Sequence, residues 1–298
     1  MKILLLGKNG QVGWELQRAL APLGELVALD FDSPGPLSAD FSRPESLAAT
    51  VRAVAPQIIV NAAAHTAVDR CESEPELARA LNAEAPAVLA REAAALGAWL
   101  LHYSTDYVFD GSGDAPRRED APTGPLSVYG RTKLEGEEAI RASGCPHFIL
   151  RTSWVYAARG GNFAKTMLKL AAERERLTVI DDQIGAPTGA DLLADISAHA
   201  LRTALGRPQV AGTYHAVASG ATSWHSYARH VIEFARAAGR PLKVAADAIE
   251  PIPTTAFPTP AVRPLNSRLD TTKLRDTFDL FLPEWQRGVD RMLTEILT

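Results

Sequence analysis

A tyrosine and a lysine stand four positions apart in the segment Tyr129-Gly130-Arg131-Thr132-Lys133. On a helix this spacing puts both side chains on one face, within reach of each other. A free phenol titrates at a pKa of about 10, and a nearby cation that favours the phenolate makes it a better proton donor and acceptor near neutral pH. Because the same spacing is frequent on surface helices, its meaning depends on its surroundings.

Two hydroxyl side chains, Ser104 and Thr105, follow directly after a predicted strand at Trp99–Tyr103. Open α/β sheets assemble their ligand sites at the carboxyl ends of strands. The Thr105 hydroxyl, or that of Ser104, could therefore hydrogen-bond a substrate carbonyl oxygen beside Tyr129. Thr105, Tyr129 and Lys133 are the candidate catalytic residues, and they predict proton transfer at a carbonyl oxygen.

The segment Gly7-Lys8-Asn9-Gly10-Gln11-Val12-Gly13 follows the first predicted strand and opens the first helix. Glycines here allow a tight turn, close approach of the backbone to a pyrophosphate and close packing of the helix, whose free N–H groups attract phosphates. Asp30 ends the next predicted strand, where a carboxylate can accept hydrogen bonds from the adenosine ribose. The pattern favours a dinucleotide site over a plain strand-to-helix turn.

Further along, Asp40 and Phe41 could border an adenine, and Ala62, Ala63 and Ala64 provide small side chains beside which a cofactor could pass. Dense packing would explain the alanines equally well. These residues give modest support to the cofactor site.

The elements that must position these residues alternate between short apolar runs and helical patterns, which is typical of parallel strands joined by crossover helices. The predicted strands are Ile3–Leu6, Leu26–Leu29, Ile58–Asn61, Trp99–Tyr103 and Phe148–Arg151, and the predicted helices are Val12–Ala21, Pro44–Val54, Glu76–Leu96 and Ser127–Ser143. The fold class that follows is α/β, with a doubly wound Rossmann-type parallel sheet.

After Arg151 the pattern predicts a helix at Phe163–Glu173, a strand at Leu177–Ile180, a helix at Ala190–Leu205, a strand at Thr213–Val217, and helices at Trp224–Ala238 and near Glu284–Leu297. The strands in this part could still extend the sheet. A proline-punctuated segment from Pro251 to Pro264 cannot be a central strand. We expect a dinucleotide-binding domain of residues 1–152 plus roughly 176–218, and a smaller substrate-binding lobe of roughly 153–175 plus 219–298.

Composition narrows the class of function. With 46% hydrophobic and 22% charged residues the chain is typical of globular proteins, and a net charge of -4 gives no basic surface for nucleic acid. Cys71 and Cys145 are too few for a disulfide framework, and no apolar stretch reaches the length of a membrane span. We expect a soluble, cytoplasmic protein that acts on small molecules.

Several motifs together resemble the dTDP-4-dehydrorhamnose reductases of the extended short-chain dehydrogenase/reductase family. They are the glycine segment 7–13, Asn61 to Asp69 (NAAAHTAVD), Ser104 to Phe109 (STDYVF), Tyr129–Lys133, Arg151 to Tyr156 (RTSWVY) and Arg263-Pro264-Leu265-Asn266-Ser267. The resemblance implies NADPH- or NADH-dependent reduction of the C4 keto group of dTDP-4-dehydro-6-deoxy-L-mannose. By the same resemblance, the product dTDP-L-rhamnose would be used for cell-surface polysaccharides such as O-antigen.

The same resemblance implies a role for each matching position. The cofactor would contact Gly7, Gly10, Gln11, Val12, Gly13, Asp30, Asp40, Phe41, Ala63, Ala64, His65 and Thr66, together with Tyr129 and Lys133. The substrate would contact Thr105, Asp106 and Trp154, with Arg263 and Asn266 at its nucleotide end. His65 could instead be a loop histidine and Trp154 a core indole. Asp30 suits NADH, yet Lys8 and Arg43 could screen a 2′-phosphate, so both cofactors stay open.

Some members of the resembled family place a magnesium ion at the interface of a homodimer. Glu15, Asp191 and Asp195 match those acidic positions, and oxygen ligands suit magnesium. A solvated acidic helix face is the alternative, and the short side chain of Asp191 counts against direct coordination.

Two other functions fit the same fold. A sugar-nucleotide epimerase or 4,6-dehydratase shares the family, although a dehydratase has an Asp-Glu pair where this chain has Asp106-Tyr107. The beta subunit of methionine adenosyltransferase also resembles this family and acts as a binding partner. The intact Thr105, Tyr129 and Lys133 favour an enzyme over such a regulatory subunit.

Overall fold

The computed structural model describes all residues from 1 to 298, and its centre is a six-stranded parallel sheet. The strands of the chain, in order, are β1 (Lys2–Leu6), β2 (Glu25–Leu29), β3 (Ile58–Asn61), β4 (Trp99–Thr105), β5 (His147–Thr152), β6 (Val155–Tyr156), β7 (Leu177–Ile180), β8 (Ile184–Gly185), β9 (Thr188–Gly189), β10 (Gly212–His215), β11 (Thr222–Ser223) and β12 (Ile249–Ile252). The six central strands lie in the order β2-β1-β3-β4-β5-β10. The predicted doubly wound sheet is confirmed.

Helices cover the sheet and build the rest of the molecule. They are α1 (Gln11–Leu20), α2 (Pro44–Val54), α3 (Val68–Ser73), α4 (Pro75–Arg79), α5 (Ala85–Leu96), α6 (Val128–Ala142), α7 (Phe163–Glu173), α8 (Ala190–Ala204), α9 (Trp224–Ala237), α10 (Thr272–Phe278) and α11 (Trp285–Leu297). None of them combines the length and the apolar character that crossing a membrane requires.

Strand β1 shows how the sheet buries both faces. Ile3 and Leu5 pack in one core with α1 and α8, while Leu4 and Leu6 pack in another with α2 and α5. All four side chains are fully buried. Alternate residues of a strand point to opposite faces, so a continuous apolar run is what a sheet covered on both sides needs.

The strand order reverses next to β1, because β2 lies on one side of it and β3 on the other. Loops leaving the carboxyl ends of β1 and β3 therefore diverge and leave a crevice between them. Ligands of open α/β sheets bind in such a crevice.

The single helix predicted at Glu76–Leu96 is divided in the structure. A π-helical turn at Ala80–Glu84 separates α4 from α5. Pro86 has no N–H to donate to the carbonyl of Asn82 four residues earlier, which gives a physical reason for the change of pitch. The turn holds Asn82 fully buried, with its amide bonded to the backbone of His65 and to Thr132 of α6.

A second core forms around α7, α9 and α11, together with β7 and β12. Strand β7 matches the predicted strand Leu177–Ile180, but it does not extend the main sheet: it pairs in parallel with β12. Pro251 lies in that two-stranded sheet, where an edge position tolerates a missing N–H. Conversely, Leu274 and Phe278 of α10 pack in the main core. Strand β7 therefore packs with the second core and α10 with the main core.

Candidate functional site

A cleft of about 780 Å³ opens at the carboxyl ends of β1, β3, β4 and β5. Fifteen of the predicted site residues line it: Gly7, Gly10, Gln11, Val12, Asp30, Asp40, Phe41, Ala63, Ala64, Thr66, Thr105, Asp106, Tyr129, Lys133 and Trp154. The structure thus brings the two predicted constellations, the glycine turn and the Tyr/Lys pair, into one cavity.

The glycine turn has the geometry that a phosphate site requires. Gly7 has a φ of 86°, and a Cβ there would lie 2.7 Å from the backbone nitrogen of Ala63. Helix α1 begins at Gln11 without a side-chain cap and without an acidic residue in its first turn. Its leading N–H groups are therefore available to an anion, and the helix dipole favours one.

Asp30 supports this turn from the end of β2. Its carboxylate accepts from the backbone N–H of Asn9 at 2.9 Å and from that of Phe31 at 2.9 Å. Asp40 accepts from the backbone N–H and the hydroxyl of Ser42, and Arg43 lies 3.4 Å from its other oxygen. Both carboxylates are thus oriented at the rim of the cleft.

Two residues predicted to contact the cofactor lie outside the lining. A Cβ on Gly13 would come within 1.9 Å of the carbonyl oxygen of Gly7, so this glycine lets α1 pack on the turn. The imidazole of His65 turns to Glu74 at 3.0 Å. Its backbone N–H is bound by Asn82. The ring and the backbone N–H of His65 are therefore both engaged within the protein, and neither faces the cleft.

Thr105 and Asp106 form a hydrogen-bonded pair at the end of β4. The Thr105 hydroxyl donates to Oδ1 of Asp106 at 3.0 Å and accepts from the backbone N–H of Tyr107 at 3.1 Å. Asp106 is buried, and its Oδ2 has no partner within the protein. Burial raises the pKa of the Asp106 carboxyl to about 6, and the neighbouring hydroxyls of Ser267 and Thr105 act in the opposite direction. The carboxyl has a free oxygen for a ligand donor.

Tyr129 lies on the first turn of α6, which Ser127 caps by accepting from the N–H of Gly130 at 3.2 Å. A Cβ at Gly130 would lie 2.3 Å from the carbonyl oxygen of Tyr107, so a glycine lets this turn pack against the segment that follows β4. The rings of Tyr107 and Tyr129 meet edge to face at 5.6 Å. Burial raises the pKa of the Tyr129 phenol, and the neighbouring Thr105 hydroxyl acts the other way.

Lys133 is buried one turn after Tyr129, and its amine has two fixed contacts. Nζ donates to the carbonyl oxygen of Tyr103 at 2.6 Å and lies 3.1 Å from Nε2 of His102. Burial lowers the pKa of Lys133 to about 8, partly offset by Glu137. Lys133 therefore loses its proton near pH 8, well below the range usual for a lysine.

Trp154 covers the other end of the cleft and stacks on Trp224, with ring centroids 3.6 Å apart. Trp154 has a φ of 49°, and its ring lies so close to Gly185 that a Cβ there would be 2.7 Å away. Trp224 donates from Nε1 to Gln183 at 3.1 Å. The second core thus presents a two-indole wall to the cleft.

Arg263 and Asn266 lie near the cleft but not in its lining. Arg263 binds the carboxylate of Asp69 at 2.8 and 3.2 Å. The amide of Asn266 donates to the carbonyl oxygen of Ala115 at 2.9 Å, as expected for a residue that holds loops together. Arg263 has further N–H groups that could donate to a ligand, whereas the side chain of Asn266 is already bonded within the protein.

The three carboxylates predicted to hold magnesium do not form a metal site. Asp195 pairs with Arg18 at 2.9 Å, and Asp191 pairs with Arg291. Glu15 lies 3.6 Å from the same Arg18. No cluster of three or more His, Cys, Asp or Glu side chains in this structure could hold a metal ion. The magnesium prediction has no support, because arginines already neutralise these groups.

Several residues of the site, among them three aromatic side chains and a histidine, were not assigned by the sequence interpretation. Phe31, Tyr107 and Trp224 line the cleft, and His102 contacts Lys133 from below. Phe31 directly follows Asp30, and this position beside a predicted cofactor residue is a sequence signal that could have identified it. Trp224 and His102 carry no such local signal, because only the folded chain brings them to the site.

The family model of the RmlD substrate binding domain matches residues 1–298. Among relatives, the dTDP-4-dehydrorhamnose reductase of Escherichia coli (strain K12) is 60% identical over 298 residues, covering 100% of this chain and 99% of that protein. The one from Burkholderia thailandensis is 46% identical over 303 residues, with both chains fully covered.

Solved structures agree with these relatives. A dTDP-4-dehydrorhamnose reductase from Clostridium acetobutylicum superposes with a TM-score of 0.89 at 34% identity over 100% of both chains. One from Bacillus anthracis, in complex with NADP, gives 0.87 at 32% identity over 99% of both. A Thermus thermophilus UDP-glucose 4-epimerase, at 19% identity and a TM-score of 0.77, shares the fold alone. With a match over its whole length and 60% identity to a full-length relative, the chain belongs to the RmlD substrate binding domain family.

Proposed function

We propose that this protein is an NAD(P)H-dependent reductase that converts dTDP-4-dehydro-6-deoxy-L-mannose to dTDP-L-rhamnose. The observation that carries the proposal is the meeting of Thr105, Tyr129 and Lys133 with the uncapped start of α1 in one cleft. The 60% identity to a dTDP-4-dehydrorhamnose reductase supports the substrate, and the NADP complex of a relative supports the cofactor.

The cleft fits a dinucleotide. Its volume of about 780 Å³ lies within the usual range of ligand cavities, and its two ends differ in chemistry. The N–H groups of Gln11 and Val12 would hold the pyrophosphate, and Asp30 the adenosine ribose. Asp40 and Phe41 would border the adenine, while Ala63 and Ala64 leave space for the middle of the cofactor. When bound, the nicotinamide would supply the hydride for C4 of the sugar.

The residues of the chain supply the proton. Tyr129 would donate its phenolic proton to the oxygen that gains charge at C4, and Thr105 would orient that oxygen. Lys133 would hydrogen-bond the cofactor ribose and, when charged, stabilise the phenolate that remains. Asp106 would accept a hydroxyl of the sugar with its free Oδ2. Trp154 would pack on the sugar ring, and Arg263 would meet the nucleotide end.

The proposal extends to the arrangement of the protein. The second core around α7, α9 and α11 would form the substrate-binding lobe, with Trp154 and Trp224 facing the cleft. The enzyme would act in the cytoplasm as a homodimer. Magnesium is not part of the proposal, because Arg18 and Arg291 occupy the carboxylates that would bind it. Light scattering with and without a chelator tests the homodimer and the absence of a magnesium requirement. A monomer would contradict the homodimer, and a dimer that dissociates when magnesium is removed would contradict the statement on magnesium.

The function is tested by following NADPH and NADH absorbance with purified protein and dTDP-4-dehydro-6-deoxy-L-mannose. The expected result is stoichiometric loss of the reduced cofactor and formation of dTDP-L-rhamnose, identified by chromatography and NMR. No loss of cofactor with this sugar, from protein that binds NADPH in a fluorescence titration, would overturn the proposal.

A further inference from the structure

A buried histidine lies under the candidate catalytic lysine. His102 is fully buried on β4, and its two ring nitrogens both have a nitrogen neighbour. Nδ1 lies 2.9 Å from Nδ2 of Asn61 on the adjacent strand β3, and Nε2 lies 3.1 Å from Nζ of Lys133. Three nitrogen groups in a row permit few arrangements of protons, so the geometry determines which group donates.

The Asn61 amide fixes one end of this row. Its Oδ1 accepts from the backbone N–H of Ala63 at 3.0 Å, which turns its NH2 group toward His102. An amide NH2 only donates, so Nδ1 of His102 must accept. A neutral imidazole that accepts at Nδ1 carries its proton at Nε2. The opposite tautomer would set an N–H against an N–H.

The Nε2–H of His102 therefore points at Lys133. A charged Lys133 has only N–H groups to offer, whereas the neutral amine has a lone pair that can accept. The close contact is favourable with the amine and unfavourable with the ammonium ion. Another N–H of Lys133 donates to the carbonyl oxygen of Tyr103, which both forms of the lysine can do.

We infer that His102 is a positioning residue whose Nε2–H donates to the Lys133 amine, which favours the uncharged form of Lys133 and fixes Nζ beside the carbonyl oxygen of Tyr103. The expected effect on the pH profile of activity rests on the proposed reductase function, whereas the hydrogen bond itself does not. Burial lowers the pKa of His102 well below its usual range, with the charge of Lys133 acting in the same direction, so the ring stays neutral.

The other groups around Lys133 do not replace this effect. Glu137 lies one turn further along α6 and raises the pKa of Lys133, but its carboxylate is held by Arg151 of β5 and Arg141. Tyr129, one turn before, is a neutral phenol whose pKa is raised by burial. From β4, only His102 and the carbonyl of Tyr103 bond to Nζ.

The first test reads the tautomer and requires no activity. Protein with 15N-labelled histidine, assigned by comparison with His102→Gln, is examined by NMR between pH 6 and pH 8. The expected result is a neutral ring protonated at Nε2 with an unprotonated Nδ1. A ring protonated at Nδ1, or at both nitrogens, would overturn the inference even if the enzyme were fully active.

The second test is the pH profile of kcat/KM with NADPH and the keto sugar. Loss of the Lys133 proton should make activity fall above about pH 8. In His102→Gln the amide oxygen can turn to Nζ and accept from the ammonium ion. The alkaline limb of the profile, where kcat/KM falls, should therefore move up by about one pH unit or more. A limb that stays in place in a folded His102→Gln protein would overturn the inference.

A matched control is available on β10. His215 is also fully buried, with Nδ1 against the carbonyl oxygen of Asp270, and is not among the residues that contact Lys133. His215→Gln should lose stability in a similar way without moving the alkaline limb. A shift of the same size in His215→Gln would assign the effect to general loosening of the sheet and sink the inference. Absence of turnover in every protein would contradict the proposed function, while the NMR result still decides the role of His102.

Discussion

The Thr105 hydroxyl gives its single proton to the carboxylate of Asp106, at 3.0 Å, while it accepts from the N–H of Tyr107. It can donate to a substrate oxygen only by turning away from Asp106. That rotation leaves Asp106 with two oxygens for donors of the ligand. The pair therefore links the orientation of the substrate carbonyl to the binding of a substrate hydroxyl.

Replacing Thr105 by valine keeps the shape of the side chain but removes this donor. We expect Thr105→Val to lower kcat/KM by about 100-fold or more, because a lost donor to a developing oxyanion costs that much. It should also lower stability by about 1 kcal/mol, since the cap on the N–H of Tyr107 is lost. Thr105→Ser retains both bonds and should stay within about tenfold of the parent. Equal kinetics for the valine and serine variants would contradict the role.

Removing the phenol of Tyr129 should damage turnover rather than cofactor binding. We expect Tyr129→Phe to lose at least about 100-fold in kcat while its Kd for NADPH, measured by fluorescence, stays within about twofold. The matched control is Tyr214→Phe, which removes a buried hydroxyl that donates to the carbonyl oxygen of Val210 at 2.7 Å. That variant should lose about 1 kcal/mol of stability and keep its kcat. A Tyr129→Phe protein with normal kcat would remove the proposed proton donor.

Much of this fold could be predicted from local patterns. Apolar runs such as Ile58–Asn61 predicted central strands because both faces are covered, and the glycine turn predicted the start of α1. The pairing of β7 with β12 could not be predicted, because about 70 residues separate the two strands and neither carries a signal for its partner.

The site could be predicted where its residues are close together in the sequence. Tyr129 and Lys133 lie one turn apart on one helix, so their spacing alone predicted their proximity. His102 was hidden, since a histidine inside an apolar strand gives no indication of what lies above it. Its contacts depend on the pairing of Asn61 with His102 across β3 and β4 and on the packing of α6. Such contacts are properties of the assembled sheet.

Substitutions at two glycines of the first turn should have different effects, one on cofactor binding and the other on stability. Gly10 lines the cleft and has an ordinary φ of -67°, and a methyl group added there would have its nearest protein atom 3.5 Å away. Gly10→Ala should therefore fold with its stability changed by less than about 0.5 kcal/mol. The methyl group should still weaken NADPH binding about tenfold or more, because backbone and pyrophosphate must approach closely.

Gly13→Ala is the comparison, because its Cβ would come within 1.9 Å of the Gly7 carbonyl oxygen. It should lower the melting temperature clearly, since overpacking costs about 1–3 kcal/mol. Differential scanning fluorimetry without cofactor, together with NADPH titration, measures both effects. A Gly10→Ala protein that binds NADPH normally would argue against pyrophosphate at this turn.

Asp106 should make the protein less stable as the pH rises. Its folded pKa of about 6 lies above the value of about 4 expected in the unfolded chain, so the folded state holds the extra proton between these values. Stability contributed by this group therefore falls as the pH rises through that window. Asp106→Asn lacks this cost, so its stability relative to the parent should increase between pH 4 and pH 6, by up to about 3 kcal/mol, and then stay constant. Urea unfolding at several pH values measures it, and a pH-independent difference would contradict the assignment.

Glu137 of α6 and Arg151 of β5 form a buried ion pair, with bonds of 2.9 and 2.7 Å. Burial acts to raise the pKa of Glu137, but the hydrogen bonds and charge of Arg151 outweigh it and hold the pKa below its usual value. Glu137→Gln would leave the buried Arg151 without its counter-charge, so we expect a loss of about 3–5 kcal/mol in the free energy of unfolding. Glu135 is on the same helix as Glu137 and forms an exposed pair with Arg79 of α4, so Glu135→Gln should cost less than about 1 kcal/mol. Urea unfolding compares the two, and similar losses would mean that the ion pair, despite its burial, contributes no more than a surface one.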